Sequence, residues 1–360
     1  MKSALVAALV ALFVSILCTP RAIMFLRNRG LGQEIRDVGP ESHQVKRGTP
    51  TMGGVVIIIA TIMGYAVAHA LTANQPGRGP TASGLLAIFL LVGVGALGFI
   101  DDFIKLYMKR NLGLNKTQKL VGQLVVAVVF AVLAQHFRNG AGLAPATTHL
   151  SFVRDIDKIA LGTVGFIIFV YLFTAGFSNA VNLTDGLDGL CAGTSAMILG
   201  SYVIINFYEF RNACGMTGAD AGCYQARDPL DLALLAAAAL GACFGFLWWN
   251  ANPARIFMGD VGAMPLGALM AGFAIMSHTE LLLIVVAALP VSEMMSVVIQ
   301  VFFFRTRRIR LFKIAPYHHH FEMIGWREAT VLVRFWIANG IAVAVGLSIF
   351  YGEFNSHGPF

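Results

Sequence analysis

The sequence predicts an all-α integral membrane protein of about ten transmembrane helices. Three observations predict it. The chain is 57% apolar and only 12% charged, where a soluble domain carries roughly 25% charged residues. Its mean hydropathy is +0.72. Apolar runs of bilayer-spanning length, about 20 residues, recur along it. Residues 1–360 read as a single polytopic domain with no soluble module, low-complexity run or internal repeat. The net charge of +7 suits a membrane surface and anionic ligands and implies no nucleic acid partner.

The expected spans are 3–19, 53–72, 84–100, 120–136, 159–178, 189–208, 231–249, 262–278, 281–303 and 333–351. The first is an uncleaved span rather than a signal peptide: only Lys2 precedes it, Arg21, Arg27 and Arg29 follow it, and no small-x-small site is present. The second follows the glycine-rich Gly48–Gly54, and the third stops at Asp101-Asp102. The fourth follows a basic segment, and the fifth and sixth flank Asn179–Gly189. The seventh ends at Asn250, the eighth follows Asp260, and the ninth runs into Arg305, Arg307, Arg308 and Arg310.

Orientation follows from the basic residues between the spans. Segments 19–52, 101–119, 179–188, 250–261 and 304–332 hold 18 Lys and Arg, and the alternate segments hold 7. The first set is therefore expected on the cytoplasmic side, with both termini outside. Cys214 and Cys223 then share an outer loop where a disulfide is permitted. Cys18, Cys191 and Cys243 sit in or beside apolar runs as packing residues, and the five cysteines form no metal-ligand pattern.

Polar chemistry is concentrated in the inner segments. Asp101-Asp102 ends an uncharged run with Lys105 one turn later; it reads either as a solvated helix end or as a pair offering one group for a metal and one for a proton. Asp260 stands between Gly259 and Val261-Gly262, which suits a magnesium site that combines one or two carboxylates with phosphate oxygens and water, or a turn Asp bonding its own backbone. In Asn179-Ala-Val-Asn-Leu-Thr-Asp-Gly-Leu-Asp-Gly-Leu190, the spacing of Asn182, Asp185 and Asp188 puts all three on one broad helical face, and Gly186 and Gly189 loosen that helix.

Lys46-Arg-Gly-Thr-Pro-Thr-Met-Gly-Gly54 is no P-loop, but a Lys followed by small and hydroxyl residues can cradle phosphate at a helix start, or simply cap it at Thr49 or Thr51. His318, His319 and His320 are adjacent and so cannot all face one metal from a regular helix or strand; imidazoles reaching phosphate oxygens fit better. Chemistry gathered on one membrane face is an enzyme's pattern, whereas a transporter buries its ionisable groups near mid-membrane.

Taken together, Lys46–Gly54, Gly98-Phe-Ile-Asp-Asp102, Asn179–Leu190, Asn250, Phe257–Asp260 and Pro316–Glu322 resemble the polyprenyl-phosphate N-acetylhexosamine-1-phosphate transferases. The full histidine triplet and the Asn-Leu-Thr-Asp-Gly-Leu-Asp-Gly string resemble the phospho-MurNAc-pentapeptide transferases among them more than the relatives that use UDP-GlcNAc. The resemblance implies a multi-pass enzyme of the bacterial plasma membrane. It would transfer phospho-MurNAc-pentapeptide from UDP-MurNAc-pentapeptide to undecaprenyl phosphate with Mg²⁺, releasing UMP, at the cytoplasmic face.

It also implies residue roles: Asp260 as magnesium ligand, and Asp101 and Asp102 as the acid pair. Lys46, Thr51, Asn182, Asp185, Gly186, Leu187, Asp188, Asn250 and Phe257 would hold the nucleotide-sugar. His318, His319 and His320 would contact phosphate or sugar. A single displacement and a phospho-enzyme on Asp101 or Asp102 both remain open, as does the oligomeric state, for which a homodimer is the candidate. One departure is visible: Gly262-Ala-Met-Pro265 replaces the family's usual Gly-Ser-Leu, with Pro265 expected in the first helical turn. Two competing readings are a UDP-GlcNAc:polyprenyl-phosphate transferase and a proton-coupled secondary transporter.

Overall fold

The structure, a computed structural model, describes residues 2–29, 48–73, 79–108, 113–214 and 222–357. Lys46 lies outside the described residues. Twelve helices and one small hairpin are described. Nine helices are long and apolar enough to cross a membrane: α1 (Lys2–Asn28), α2 (Gly54–Thr72), α3 (Ala82–Tyr107), α4 (Lys116–His136), α5 (Gly162–Thr184), α6 (Leu190–Arg211), α7 (Pro229–Asn250), α10 (Ala288–Arg307) and α12 (Glu328–His357). The eighth expected span is the shorter α8 (Asp260–Met276), buried along its length from Val261 onward. The ninth is split into α9 (Glu280–Val286) and α10, because Pro290 has no N–H to return to the Val286 carbonyl. A short α11 (Tyr317–Met323) carries the histidine triplet.

Helix α8 packs against α2, α3 and α5, and α7 against α1, α2 and α6, so these two form the interior of the bundle. Close approach needs small residues where lipid supplies no hydrophobic drive between helices. Gly54 shows how tight the fit is: a Cβ there would stand 2.1 Å from Gly262 Cα and 2.2 Å from Gly262 N, both backbone atoms that cannot swing away. Gly54→Ala is therefore expected to force α2 from α8 at a cost of about 1–3 kcal/mol. The check is a lowered thermal midpoint in detergent; an unchanged midpoint would mean the two helices are not in contact there.

Pro265 falls in the second turn of α8, not the first, so the Val261 carbonyl loses its i+4 donor. It is buried with Ala263, which stands where the family's usual pattern carries a hydroxyl.

Two polar hubs close the end of the bundle away from Asp260. Asp231 on α7 accepts from Tyr65 on α2 (2.9 Å) and from Thr81 N and Oγ1 (2.9 and 2.6 Å), and its Oδ1 lies 2.8 Å from His69 Nε2. The strands β1 (His149–Ser151) and β2 (Asp155–Ala160) pair antiparallel, with Ser151 opposite Asp155. Between them Arg154 donates to Glu353 Oε1 (2.9 Å) and to the Cys223 carbonyl (2.7 Å). Cys214 and Cys223 are bonded to each other.

Candidate active site

The opposite end gathers the C-termini of α3, α5 and α7 and the N-termini of α2, α4, α8 and α12. Helix α3 runs on to Tyr107, so Asp101, Asp102 and Lys105 are all helical. Lys105 then reaches back one turn, with Nζ 2.6 Å from Asp101 Oδ2 and 3.4 Å from Asp102 Oδ1. Helix α4 begins at Lys116 because Asn115 and Gln118 form a reciprocal cap, each side chain bonding the other's backbone (2.8 and 2.9 Å). That start sets Lys119 in the first turn, facing α3 and α8: Nζ is 2.9 Å from Asp101 Oδ2 and 2.7 Å from Asp260 Oδ2. Lys105 also lies 3.0 Å from Asp260 Oδ2.

Asp101, Asp102 and Asp260 thus share one site, with an oxygen of each within 4.8 Å of the others. Asp101 is fully buried and saturated: besides two lysines it accepts the Leu114 N–H at 2.7 Å. Asp102 accepts the Val261 N–H at 3.1 Å through Oδ2, leaving Oδ1 with only the 3.4 Å contact to Lys105. Three carboxylates against two ammonium groups leave one formal negative charge, and an all-oxygen donor set fits a hard divalent cation. Gly259 makes the cluster possible. It sits at φ 75°, and a Cβ there would stand 2.5 Å from Asp102 Oδ2 and 3.0 Å from Thr51 Oγ1. Thr51 is thereby placed against the acid pair, and Pro50–Gly54 pairs with Phe257–Met258 through Phe257 N to Pro50 O (2.8 Å) and Gly53 N to Phe257 O (2.9 Å).

Asn182, Asp185 and Asp188 do not share a helix. Helix α5 ends at Thr184, and residues 185–189 form a turn into α6, with Gly189 at φ 80°. The helix therefore stops before either glycine, at Asp185, and Gly189 serves as the residue that leads into α6. Asp185 takes a hydrogen bond from the Gly259 backbone; burial, helped by the charge of Asp260, pushes its carboxyl up to about 7. Asp188 is buried and accepts from Ala254 N at 3.0 Å. Asn250 accepts from Gly189 N (3.1 Å) and donates to the Ile256 carbonyl (2.9 Å), clamping the 251–259 loop to this turn. Leu187 packs with Leu190, Leu289, Val331, Leu332 and Phe335. Asn250 and Leu187 are thus engaged within the protein, while Asn182 and Phe257 are only half-buried.

The histidines of α11 diverge. His318 is fully buried 3.0 Å from Glu293 of α10, His319 lies 2.7 Å from Glu322, and His320 Nδ1 accepts from Lys313 N at 3.1 Å. His318 packs against Gly186 of the 185–189 turn. Lys119, Glu293 and Glu328, whose Oε1 accepts from Asp188 N at 3.2 Å, are the residues that sequence reasoning missed. The signal for Glu293 was present: it is the only charged residue in 281–303.

A model of glycosyl transferase family 4 matches residues 84–278, and a phospho-N-acetylmuramoyl-pentapeptide-transferase signature matches residues 46–58. A phospho-N-acetylmuramoyl-pentapeptide-transferase of Frankia alni is 56% identical over 358 residues, 99% of each chain. The enzyme of that name from Saccharopolyspora erythraea is 56% identical over 357 residues, covering 99% of this chain and 98% of its own. That of Corynebacterium diphtheriae is 54% identical over 363 aligned positions, 99% of each chain.

Proposed function

The chain belongs to the phospho-N-acetylmuramoyl-pentapeptide-transferase family, and on that premise we propose that it transfers phospho-MurNAc-pentapeptide from UDP-MurNAc-pentapeptide to undecaprenyl phosphate. The phosphoanhydride bond of the UDP carrier breaks, a new one forms to the lipid phosphate, and UMP leaves with lipid I as product. The observation that carries this reading is the cluster of Asp101, Asp102 and Asp260 with Lys105 and Lys119, set beside the 185–189 turn at the end of the spans. One substrate is lipidic and the other soluble, so the reaction needs a polar site at the membrane edge.

Two anionic phosphates must approach each other, and the chain supplies positive charge where they meet. Lys105 and Lys119 hold Asp101 and Asp260 apart from solvent and limit the repulsion a diphosphate would meet. Asp102, with the least engaged oxygen, takes the proton of the lipid phosphate. Asp185, Gly186 and Asp188 form the platform for the nucleotide-sugar with Thr51, Asn182 and Phe257, and Asn250 keeps that platform against the α7–α8 loop. Magnesium, held by Asp260 with its neighbouring carboxylates, would offset the charge developing on the transferred and leaving phosphates. We place this end on the cytoplasmic side of the bacterial plasma membrane, supported by the excess of Lys and Arg in the segments that form it.

The test is direct. Purified protein in detergent is given undecaprenyl phosphate with either UDP-MurNAc-pentapeptide or UDP-GlcNAc, and UMP release is followed. Release from the first donor is expected. Release from UDP-GlcNAc alone would move the chain to a different substrate class, and uptake into vesicles without UMP would make it a transporter.

A further inference from the structure

Glu293 and His318 are both fully buried, and Glu293 Oε1 lies 3.0 Å from His318 Nδ1. Neither side chain makes a hydrogen bond to any other described residue. A buried carboxylate without a compensating partner costs several kcal/mol, so the pair occurs in states that leave no bare charge. There are two. In one, His318 is an imidazolium beside a carboxylate; in the other, a protonated Glu293 faces the lone pair of Nδ1 on a neutral ring. Both put a hydrogen on Nε2. The remaining state, a neutral ring donating Nδ1–H to the carboxylate, leaves a buried net negative charge held by that one hydrogen bond, with no other partner for either oxygen.

The other side of the ring faces the substrate turn. A Cβ on Gly186 would stand 2.1 Å from His318 Nε2, so Gly186 leaves no side chain over that nitrogen. Nε2 is buried and has no acceptor of its own. Titratable groups near the pair include His319, whose ring centroid is 4.1 Å away on α11, Tyr317, which feels the charge of Glu293, and Asp185, next to Gly186 on the facing turn.

We propose that Glu293 is a positioning residue that holds His318 as a hydrogen-bond donor through Nε2, aimed at an oxygen of the nucleotide-sugar at the 185–189 turn, and so bars it from acting as a general base. The proposal rests on the reading of that turn as the nucleotide-sugar platform. It gives the first histidine of the triplet a role set by Glu293, whereas His319 meets Glu322 and His320 accepts from Lys313 N.

Histidine tautomers are read by ¹⁵N NMR. In protein labelled at histidine, the resonances missing from His318→Gln belong to His318, and a protonated Nε2 is expected at the pH of the activity assay. An unprotonated Nε2 at that pH overturns the proposal, and this measurement needs no Glu293 variant to fold. Glu293→Leu with a normal thermal midpoint is expected to raise the KM for UDP-MurNAc-pentapeptide about tenfold or more, the loss of one hydrogen bond to a charged group, with kcat less affected. An unchanged KM in that folded variant also overturns it. His318→Gln, which keeps an N–H donor, is expected to retain more activity than His318→Ala. If both retain full activity, the placement of His318 at the substrate platform fails, whatever the NMR shows of its tautomer.

Discussion

Asp260→Asn is expected to lower UMP release by on the order of a thousandfold while leaving the fold in place, since removing a metal's charged ligand forfeits several kcal/mol of transition-state stabilisation. Asn has the same shape, and the two lysines that touch Asp260 keep their contacts with Asp101 at 2.6 and 2.9 Å. The thermal midpoint should therefore move little. What the substitution changes is charge: the cluster goes from one formal negative charge to none, and a divalent cation loses its reason to enter. Two readouts check this independently. Turnover should stay low when magnesium is raised to saturation, and Mn²⁺ binding to the substrate-free protein should weaken in parallel. Near-normal rates at high magnesium would remove Asp260 from the metal-binding role.

Which features were legible in the sequence depends on the length scale of the signal behind them. The spans rest on the summed hydropathy of about 20 residues, and each of the ten expected apolar runs is helical over most of its length, the ninth in two pieces. The carboxylates Asp101, Asp102 and Asp260 stood out because each interrupts an apolar run at its edge, where charge is costly. Local chemistry was harder to read. The Asn115–Gln118 cap starts α4 four residues before its apolar run, which is why Lys119 reached the site unseen. Pro290 divides a run that hydropathy reads as continuous. The hairpin has three and six residues in its strands, too few for alternation to register.

The 185–189 turn shows the converse error. A spacing of three between Asn182, Asp185 and Asp188 implies a shared face only if a helix passes through them. Helix α5 stops at Thr184, with Asp185 out of helical geometry, which ends that possibility. Their convergence comes instead from tertiary bonds: Gly259 to Asp185, Ala254 to Asp188, and Asn250 to Gly189. Glu293 was hidden by the same averaging that revealed the spans, since a single charge barely changes the mean of a 23-residue run that the sequence places at 281–303.

Asp102→Asn carries the second largest expected effect, a fall in kcat of roughly 10²- to 10⁴-fold, the usual range for loss of a general base. The geometry separates it from its neighbour. Asp101 meets Lys105, Lys119 and the Leu114 amide, all within 2.9 Å, so its oxygens are committed to holding α3 and α4 together. Asp102 keeps Oδ1 almost free, 3.4 Å from Lys105, while Oδ2 is steadied by Val261 N. A carboxylate fixed at one oxygen and open at the other is placed to take a proton from the lipid phosphate. Asp102→Asn should therefore bind UDP-MurNAc-pentapeptide normally and fold normally, yet turn over slowly. Asp101→Asn should lower the thermal midpoint as well as the rate, because the fully buried carboxylate that both lysines and the Leu114 amide hold loses its charge. The opposite pattern, with Asp101→Asn stable but slower than Asp102→Asn, would exchange the two roles and make Asp102 the brace beneath Gly259.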